Sequence, residues 1–184
     1  MSGGLPNVAV HDLVIHTRDK ELVVGTHGRS FYVADVQHLQ QMNPDISTKQ
    51  LHAFEIKKKF WSSRWGSSWS QWAKPSVPEL SIPYFASKPG NMMITVKAKD
   101  GKTLKNITHK TEKGLNYFVY DCSVEASAVK AYEKALNAEH KEGKKITVKK
   151  AKNGEHYLMP GEYVVELFKD GVTEKVIFLV ERRK

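Results

Sequence analysis

Short runs of β-branched and aromatic residues, each ending at a tight-turn dipeptide, constrain the fold of this chain more than any other feature. Asp100-Gly101 and Asp170-Gly171 separate such runs, and Asn153-Gly154 predicts a further hairpin between residues 146–148 and 156–158. Asp-Gly and Asn-Gly favour two-residue hairpin loops, which require positive φ angles. Many short strands with turn signals between them are typical of a β-sandwich. We therefore predict an all-β fold.

One stretch departs from the strand pattern. Residues 126–139 are rich in alanine and repeat apolar side chains at helical spacing, and Gly143 follows them. Alanine favours helices and glycine ends them. The sequence predicts one helix, within an insertion at about residues 124–150.

Residues 8–36 predict a separate, smaller β structure. Three β-rich runs are separated by Arg18-Asp19-Lys20 and by His27-Gly28-Arg29. A three-stranded meander is marginal alone and needs another surface to cover it. Its exposed edge could also pair with a second copy of the chain, so a homodimer is one alternative.

All four tryptophans lie close together, at Trp61, Trp65, Trp69 and Trp72. Their spacing would align the rings on one side of a helix, but the serine and glycine residues between them disfavour a helix. Flat aromatic faces stack on sugars and on bases. The run therefore predicts either packing between two domains or a contact with carbohydrate.

The net charge of +9 comes largely from basic runs at residues 57–59, 141–152 and 182–184. A basic run is usually a solvated face. No nucleic-acid-binding motif accompanies these runs. We expect surface segments, and a nucleic-acid-binding basic domain remains an alternative function.

Few residues suggest catalysis. The main polar cluster consists of His11, Asp12, His16, His27 and Arg29, but its spacing does not bring metal ligands to one point. The single cysteine, Cys122, excludes an intrachain disulfide and is predicted to be buried. There is no phosphate-binding or dinucleotide fingerprint. We expect no metal and no cofactor, and an enzyme built on the histidine cluster is the remaining catalytic alternative.

The carboxylates also identify no catalytic pair. A glycosidase needs two carboxylates that converge across a cleft. Asp12, Asp35 and Asp121 are candidates, and nothing in the sequence selects two of them. No run of residues is long and apolar enough for a membrane helix, and the first residues do not resemble a signal peptide.

Two parts of the chain resemble a known family. Residues 5–16 (LPNVAVHDLVIH) and 22–33 (LVVGTHGRSFYV) resemble the last blade of bacterial sortilin-like, BNR-repeat β-propellers, which are described as glycosyl-hydrolase-like. Residues 114–121 (GLNYFVYD) and 160–167 (PGEYVVEL) are similar to the immunoglobulin- or fibronectin-III-like sandwich that follows such propellers. The chain lacks the Ser-x-Asp-x-Gly-x-x-Trp repeat and the other blades.

The resemblance implies a domain order and a role. We expect a blade remnant at residues 1–40, a linker with the tryptophan segment at 41–90, and an immunoglobulin-like sandwich at 91–184. The implied function is a non-catalytic C-terminal accessory module whose partner is the rest of the propeller, in a secreted, periplasmic or cell-surface protein. The alternative is a carbohydrate-binding module that uses the four tryptophans, with His27 and Arg29 as further ligand-binding candidates.

Overall fold

The computed structural model describes residues 7–28, 30–139 and 145–183. The chain divides into two compact units, Met1–Ser47 (unit 1) and Thr48–Lys184 (unit 2). Strands dominate both units, so the predicted all-β fold is confirmed.

Unit 1 is a three-stranded sheet followed by short helices. Its elements are β1 (Val10–His16), β2 (Glu21–Thr26), β3 (Ser30–Asp35), α1 (Gln37–Gln41) and α2, which runs from Pro44 to Thr48. The strands are antiparallel in the order β1-β2-β3, with Val14 opposite Val23 and Val23 opposite Val33. The predicted meander is therefore confirmed, whereas its identity as a propeller blade stays a prediction. The two helices have five residues each, too few to leave a periodic pattern in the sequence.

Unit 2 contains ten strands and one longer helix among the described residues. They are β4 (Leu51–Ala53), β5 (Lys59–Trp61), β6 (Leu80–Ala86), β7 (Gly90–Ala98), β8 (Thr103–Thr111), β9 (Gly114–Tyr120), β10 (Ser123–Val124), α3 (Val129–Glu139), β11 (His156–Tyr157), β12 (Gly161–Lys169) and β13 (Val172–Arg182). The sheets have the orders β5-β13-β12-β7-β8, β4-β6-β9 and β10-β11.

The two larger sheets of unit 2 bury a common hydrophobic core. Ile82 and Tyr84 from β6 belong to the same buried cluster as Ile94 from β7, Val165 from β12 and Phe178 from β13. Alternate residues of β7 and β12 are buried, as expected when one face of a sheet covers a core. Two sheets therefore share one core, and the immunoglobulin-like or fibronectin-III-like type stays a prediction.

The turn signals had different outcomes. Asp170 and Gly171 have φ angles of 50° and 82° and join β12 to β13, as predicted for a type I′ hairpin. The hairpin predicted at Asn153-Gly154 does not pair residues 146–148 with 156–158, because β11 pairs instead with β10. Ser123 lies opposite Tyr157 in that short ladder.

The predicted linker, residues 41–90, is largely part of unit 2. It supplies β4, β5 and β6, and the boundary between the units falls after Ser47 instead of at residues 40 and 90. Proline argues against a central strand, yet Pro83 lies in β6, which pairs with strands on both sides. Pro83 still takes part through its carbonyl oxygen, which accepts from Phe54 N at 3.1 Å.

Two hydrogen bonds of Tyr132 attach α3 to the rest of unit 2, and a third bond joins their two partners, Met159 and Tyr163. Met159 N donates to the Tyr132 hydroxyl at 2.9 Å, and the Tyr163 hydroxyl donates to Met159 O at 2.5 Å. The two tyrosine hydroxyls also bond each other. Because Tyr163 has one hydroxyl proton, which Met159 O accepts, Tyr132 is the donor between the phenols. Tyr163, on β12, is thus bonded to backbone four residues earlier in the chain.

Candidate ligand-binding cleft

The four tryptophans occupy very different environments, and two of them share a cleft in unit 2. Trp61 and Trp65 line this cleft, whereas Trp69 and Trp72 are 90% and 88% exposed and do not line it. The segment between them forms turns and no helix, consistent with the effect expected of its serine and glycine residues. The row of four rings therefore does not form one binding surface.

The first wall of the cleft is the turn that carries Trp65. Trp65 is 7% exposed, and its ring meets the ring of Tyr157 edge-on at 5.9 Å. Gly66 follows with a φ of 74°, and a Cβ there would lie 2.4 Å from Asn153 Oδ1 and 2.6 Å from Ala151 Cβ. Only glycine fits this approach. Gly66 O accepts from Asn153 N at 3.0 Å, which fixes the two walls against each other.

The second wall is the segment that follows α3, and side chains of that helix hold it. Asn137 makes two hydrogen bonds with the backbone of Ile146, both at 2.8 Å. Glu133 Oε1 accepts from Val148 N at 2.7 Å. These bonds satisfy backbone groups that have no partner in a strand ladder, so the helix positions residues 146–148.

The cleft between these walls has a volume of about 400 Å³. The described residues that line it are Trp61, Ser62, Ser63, Trp65, Ser67, Thr147, Val148, Lys149, Lys150, Ala151, Lys152, Tyr157 and Met159. None of these lining residues is acidic. Salt bridges within the described parts of unit 2 involve none of the three lysines Lys149, Lys150 and Lys152. The cleft thus combines aromatic, hydroxyl and cationic groups.

Other basic residues contact aromatic rings or carboxylates. The Arg182 guanidinium lies 5.4 Å from the centre of the Trp61 ring, and the Arg183 guanidinium lies 5.6 Å from that of Phe60. Lys58 Nζ lies 3.0 Å from Glu181 Oε2. The described residues of the basic runs at 57–59 and 182–184 therefore pack partly on the protein surface instead of being only solvated.

The other two candidate residues belong to unit 1. His27 lies in the turn after β2, where its ring stacks on that of His11 with centres 4.9 Å apart. His27 N donates to Ala9 O at 3.1 Å, so this turn is part of the meander's own structure. Arg29 lies outside the described residues. The two histidines come together, and among the described residues no third candidate metal ligand joins them.

The candidate carboxylates make local structural bonds. Asp12 accepts from Leu13 N at 2.8 Å, and Asp35 accepts from Gln37 N at 2.9 Å. Asp121 accepts from Ser123 N at 3.0 Å and lies 3.1 Å from Lys105 Nζ. Burial raises the pKa of Asp121, but the hydrogen bonds from Ser123 and Lys105 outweigh it and bring the pKa below its ordinary value. Asp121 is thus ionised and already paired.

The remaining chemical candidates offer no nucleophile or metal centre. Cys122 is fully buried, as predicted, and burial raises the pKa of its thiol to about 12. A reactive cysteine is partly exposed and has a lowered pKa, and Cys122 has neither property. Within residues 7–28, 30–139 and 145–183, no group of three or more His, Cys, Asp or Glu residues could hold a metal ion.

The sequence reasoning missed the lysine wall. Lys149, Lys150 and Lys152 belong to a run interpreted as a solvated face, and the tryptophan segment was interpreted separately. The usable signal was two unusual segments, one rich in tryptophan and one rich in lysine. Their contact depends on the close approach at Gly66, which only the folded chain reveals.

Comparison with known proteins adds no family assignment. No protein-family model matches the chain, and a search of curated proteins finds no match. Within the described residues, no helix has the length and apolar character needed to span a membrane.

Proposed function

We propose that this chain is a non-catalytic accessory module of a glycoside-hydrolase-like β-propeller protein, with unit 1 completing a blade. The observation that carries the proposal is the exposure of apolar side chains on both faces of the meander. Leu13, 59% exposed, lies on one face, whereas Val14 and Val33 lie exposed on the other. Phe31 shares the second face and is 67% exposed.

A sheet that is apolar on both faces is suited to burial between two layers. Propeller blades are small antiparallel sheets arranged radially, so each blade packs between neighbours. Both edges of the meander, β1 and β3, are also unpaired in the described part of unit 1. Exposed edges and two apolar faces are expected of a sheet whose neighbours come from outside this unit.

Unit 2 supports the accessory half of the proposal. Its strand order, the parallel pairing of β5 with β13, and the bond from Tyr163 to Met159 agree with an immunoglobulin-like sandwich. The buried thiol and the paired carboxylates offer no catalytic constellation among the described residues. A secreted, periplasmic or cell-surface location belongs to the same proposal and rests on the family resemblance.

The test compares this chain with the full product of the gene that encodes it. We expect blade-like repeats before residue 1, and slower amide hydrogen exchange in β1–β3 when those repeats are present. Exchange in β12 and β13 is the internal control and should not change. A gene without such repeats would refute the proposal. Protection of β1–β3 that rises with concentration of the chain alone would also refute it, in favour of a homodimer.

Carbohydrate binding is the second candidate function, and the cleft beside Trp61 favours it. Pockets of a few hundred Å³ that combine aromatic and polar groups are typical of small-ligand sites. Replacing Trp61 with alanine should abolish saccharide binding, and Trp69→Ala is the matched control because Trp69 is exposed and outside the cleft. Trp65 is unsuitable for this test because its ring is part of the core. Equal loss in both variants, or in neither, would contradict a site in this cleft.

A further inference from the structure

We infer that the cleft binds an anionic saccharide, one that carries carboxylate or sulfate groups. This inference rests on the carbohydrate-binding function proposed above and adds the charge of the ligand. Neutral sugars need hydroxyl partners and an apolar surface, whereas this cleft also has three lysines and no acidic residue among its described lining residues.

The charge pattern is the first argument. Lys149, Lys150 and Lys152 approach the cleft from one short segment, and no carboxylate in the described parts of the chain pairs with them within salt-bridge distance. Elsewhere in unit 2, lysines beside a carboxylate do pair, as Lys97 and Lys175 do with Glu166. Charge-assisted hydrogen bonds from ammonium groups are the strong contacts available to a carboxylate or sulfate.

The opposite wall has the groups that the rest of a sugar needs. Ser62, Ser63 and Ser67 line it with hydroxyls, which both donate and accept hydrogen bonds as sugar hydroxyls do. Trp61 adds an apolar surface suited to the C–H face of a sugar ring. A ligand in the cleft would thus meet hydroxyl and apolar groups on one side and positive charge on the other.

The cleft is also held open before any ligand arrives. The bond between Asn153 N and Gly66 O fixes the distance between the walls, and the helix side chains Asn137 and Glu133 fix the segment that leads into the lysines. Preorganisation lowers the ordering cost of binding. The volume of about 400 Å³ lies at the lower end of ligand pockets and suits a short stretch of a glycan.

The same geometry argues against single-stranded nucleic acid, the other polyanion considered. Base stacking needs open aromatic faces in series. Trp65 is 7% exposed, so Trp61 alone of the two tryptophans that line the cleft offers a face for stacking, and one ring makes no series. The two open rings, Trp69 and Trp72, do not line the cleft with the lysines.

The experiment titrates the full chain by calorimetry with six probes of equal length. They are cellohexaose and maltohexaose as neutral sugars, hexagalacturonate and an alginate hexasaccharide as carboxylated sugars, a heparin hexasaccharide as the sulfated sugar, and dT6. The test variant is Lys150→Gln with Lys152→Gln. The control is Lys110→Gln with Lys113→Gln, which removes the same charge from exposed lysines outside the cleft.

We expect at least one anionic hexasaccharide to bind ten or more times tighter than both neutral ones and than dT6. The test variant should lose at least tenfold in that affinity. The control variant should change the affinity by no more than about twofold, because salt largely screens exposed charges that lie outside the cleft. The carboxylated and sulfated probes identify which anion is preferred.

Three results would overturn the inference, and they distinguish it from the carbohydrate-binding function on which it rests. Neutral sugars that bind as tightly as anionic ones would refute the charge preference and leave a carbohydrate site. Tighter binding of dT6 would refute both in favour of nucleic acid. Absence of binding by every saccharide would refute the carbohydrate function together with the inference.

Discussion

The hydrogen bonds among Tyr132, Tyr163 and Met159 allow a double-mutant cycle whose outcome follows from the geometry. They form a closed ring: Met159 N donates to Tyr132, Tyr132 to Tyr163, and Tyr163 to Met159 O. Both phenols are 1% exposed or less, so water does not replace a lost partner on their hydroxyls. The perturbations are Tyr132→Phe, Tyr163→Phe and the double variant.

The groups left without a partner set the expected magnitudes. Tyr132→Phe leaves one donor, the Met159 N–H, without an acceptor and should lower the free energy of unfolding by about 1–2 kcal/mol. Tyr163→Phe leaves two groups without a partner, the hydroxyl proton of Tyr132 and the carbonyl oxygen of Met159. It should lower the free energy of unfolding by roughly 2–4 kcal/mol. The double variant strands only the two backbone groups of Met159 and loses one bond fewer than the two single variants together. Its cost should therefore fall below their sum by about 1–2 kcal/mol.

Urea unfolding followed by tryptophan fluorescence measures these values for unit 2 alone, because all four tryptophans lie within it. The cycle also needs unchanged m-values, which show that the unfolding transition is the same in each variant. Additive costs, within about 0.5 kcal/mol, would refute the closed ring. A larger cost for Tyr132→Phe than for Tyr163→Phe would refute the donor direction between the phenols.

Three further predictions concern backbone fit and pH. Gly66→Ala should destabilise unit 2 by about 2–4 kcal/mol in urea unfolding, because the new Cβ overpacks the site and the backbone there is left-handed. The control is Gly101→Ala, where φ is 85° and no atom lies within 4 Å of the added Cβ, so it should destabilise unit 2 by only about 1–2 kcal/mol. Equal losses of stability would contradict the close approach at Gly66. Burial raises the pKa of Tyr132 to about 12, so the unfolded chain loses this proton first and stability should fall as pH rises above about 10. Urea unfolding between pH 8 and 11.5 should show a shallower fall for Tyr132→Phe, and identical slopes would exclude this group. Hydrogen bonds from two lysines lower the pKa of Glu166. Its contribution to the stability of unit 2 is therefore present above the ordinary glutamate pKa and is lost as pH falls through the lowered value. Glu166→Gln should therefore lose less stability than the parent protein between pH 5 and 2, and an unchanged acid profile would show that these bonds do not stabilise the fold.

Local signals predicted much of the strand content. Asp170-Gly171 specifies its hairpin because two consecutive residues accept positive φ there, whatever lies elsewhere in the chain. Asn153-Gly154 carries the same signal, but Tyr157 pairs with Ser123, more than thirty residues earlier, and that partner cannot be read from a dipeptide. The failed hairpin is a case of tertiary pairing overriding local propensity.

The prediction of an extended surface segment at residues 75–89 was wrong for a related reason. Residues 75–89 contain four prolines, which favoured an extended surface segment, whereas Leu80–Ala86 forms the buried middle strand of a sheet. The cleft was equally inaccessible to sequence reasoning. Its tryptophans and its lysines are 84–91 positions apart in the sequence, and the close approach at Gly66 brings their segments together. Sequence patterns report local periodicity and do not report which distant segments meet.

The short ladder of β10 and β11 has a consequence for how such a protein can change. Ser123 and Tyr157 are paired neighbours, so the chain between them leaves the sheets and returns at adjacent points. That excursion carries α3 and the lysine wall of the cleft. A segment with its two ends held side by side can change in length without moving a strand, as long as it keeps the buried Tyr132 and its bonds to Met159 and Tyr163. The lysines of that wall are exposed, so their charge can change while the strands and the opposite wall keep their places.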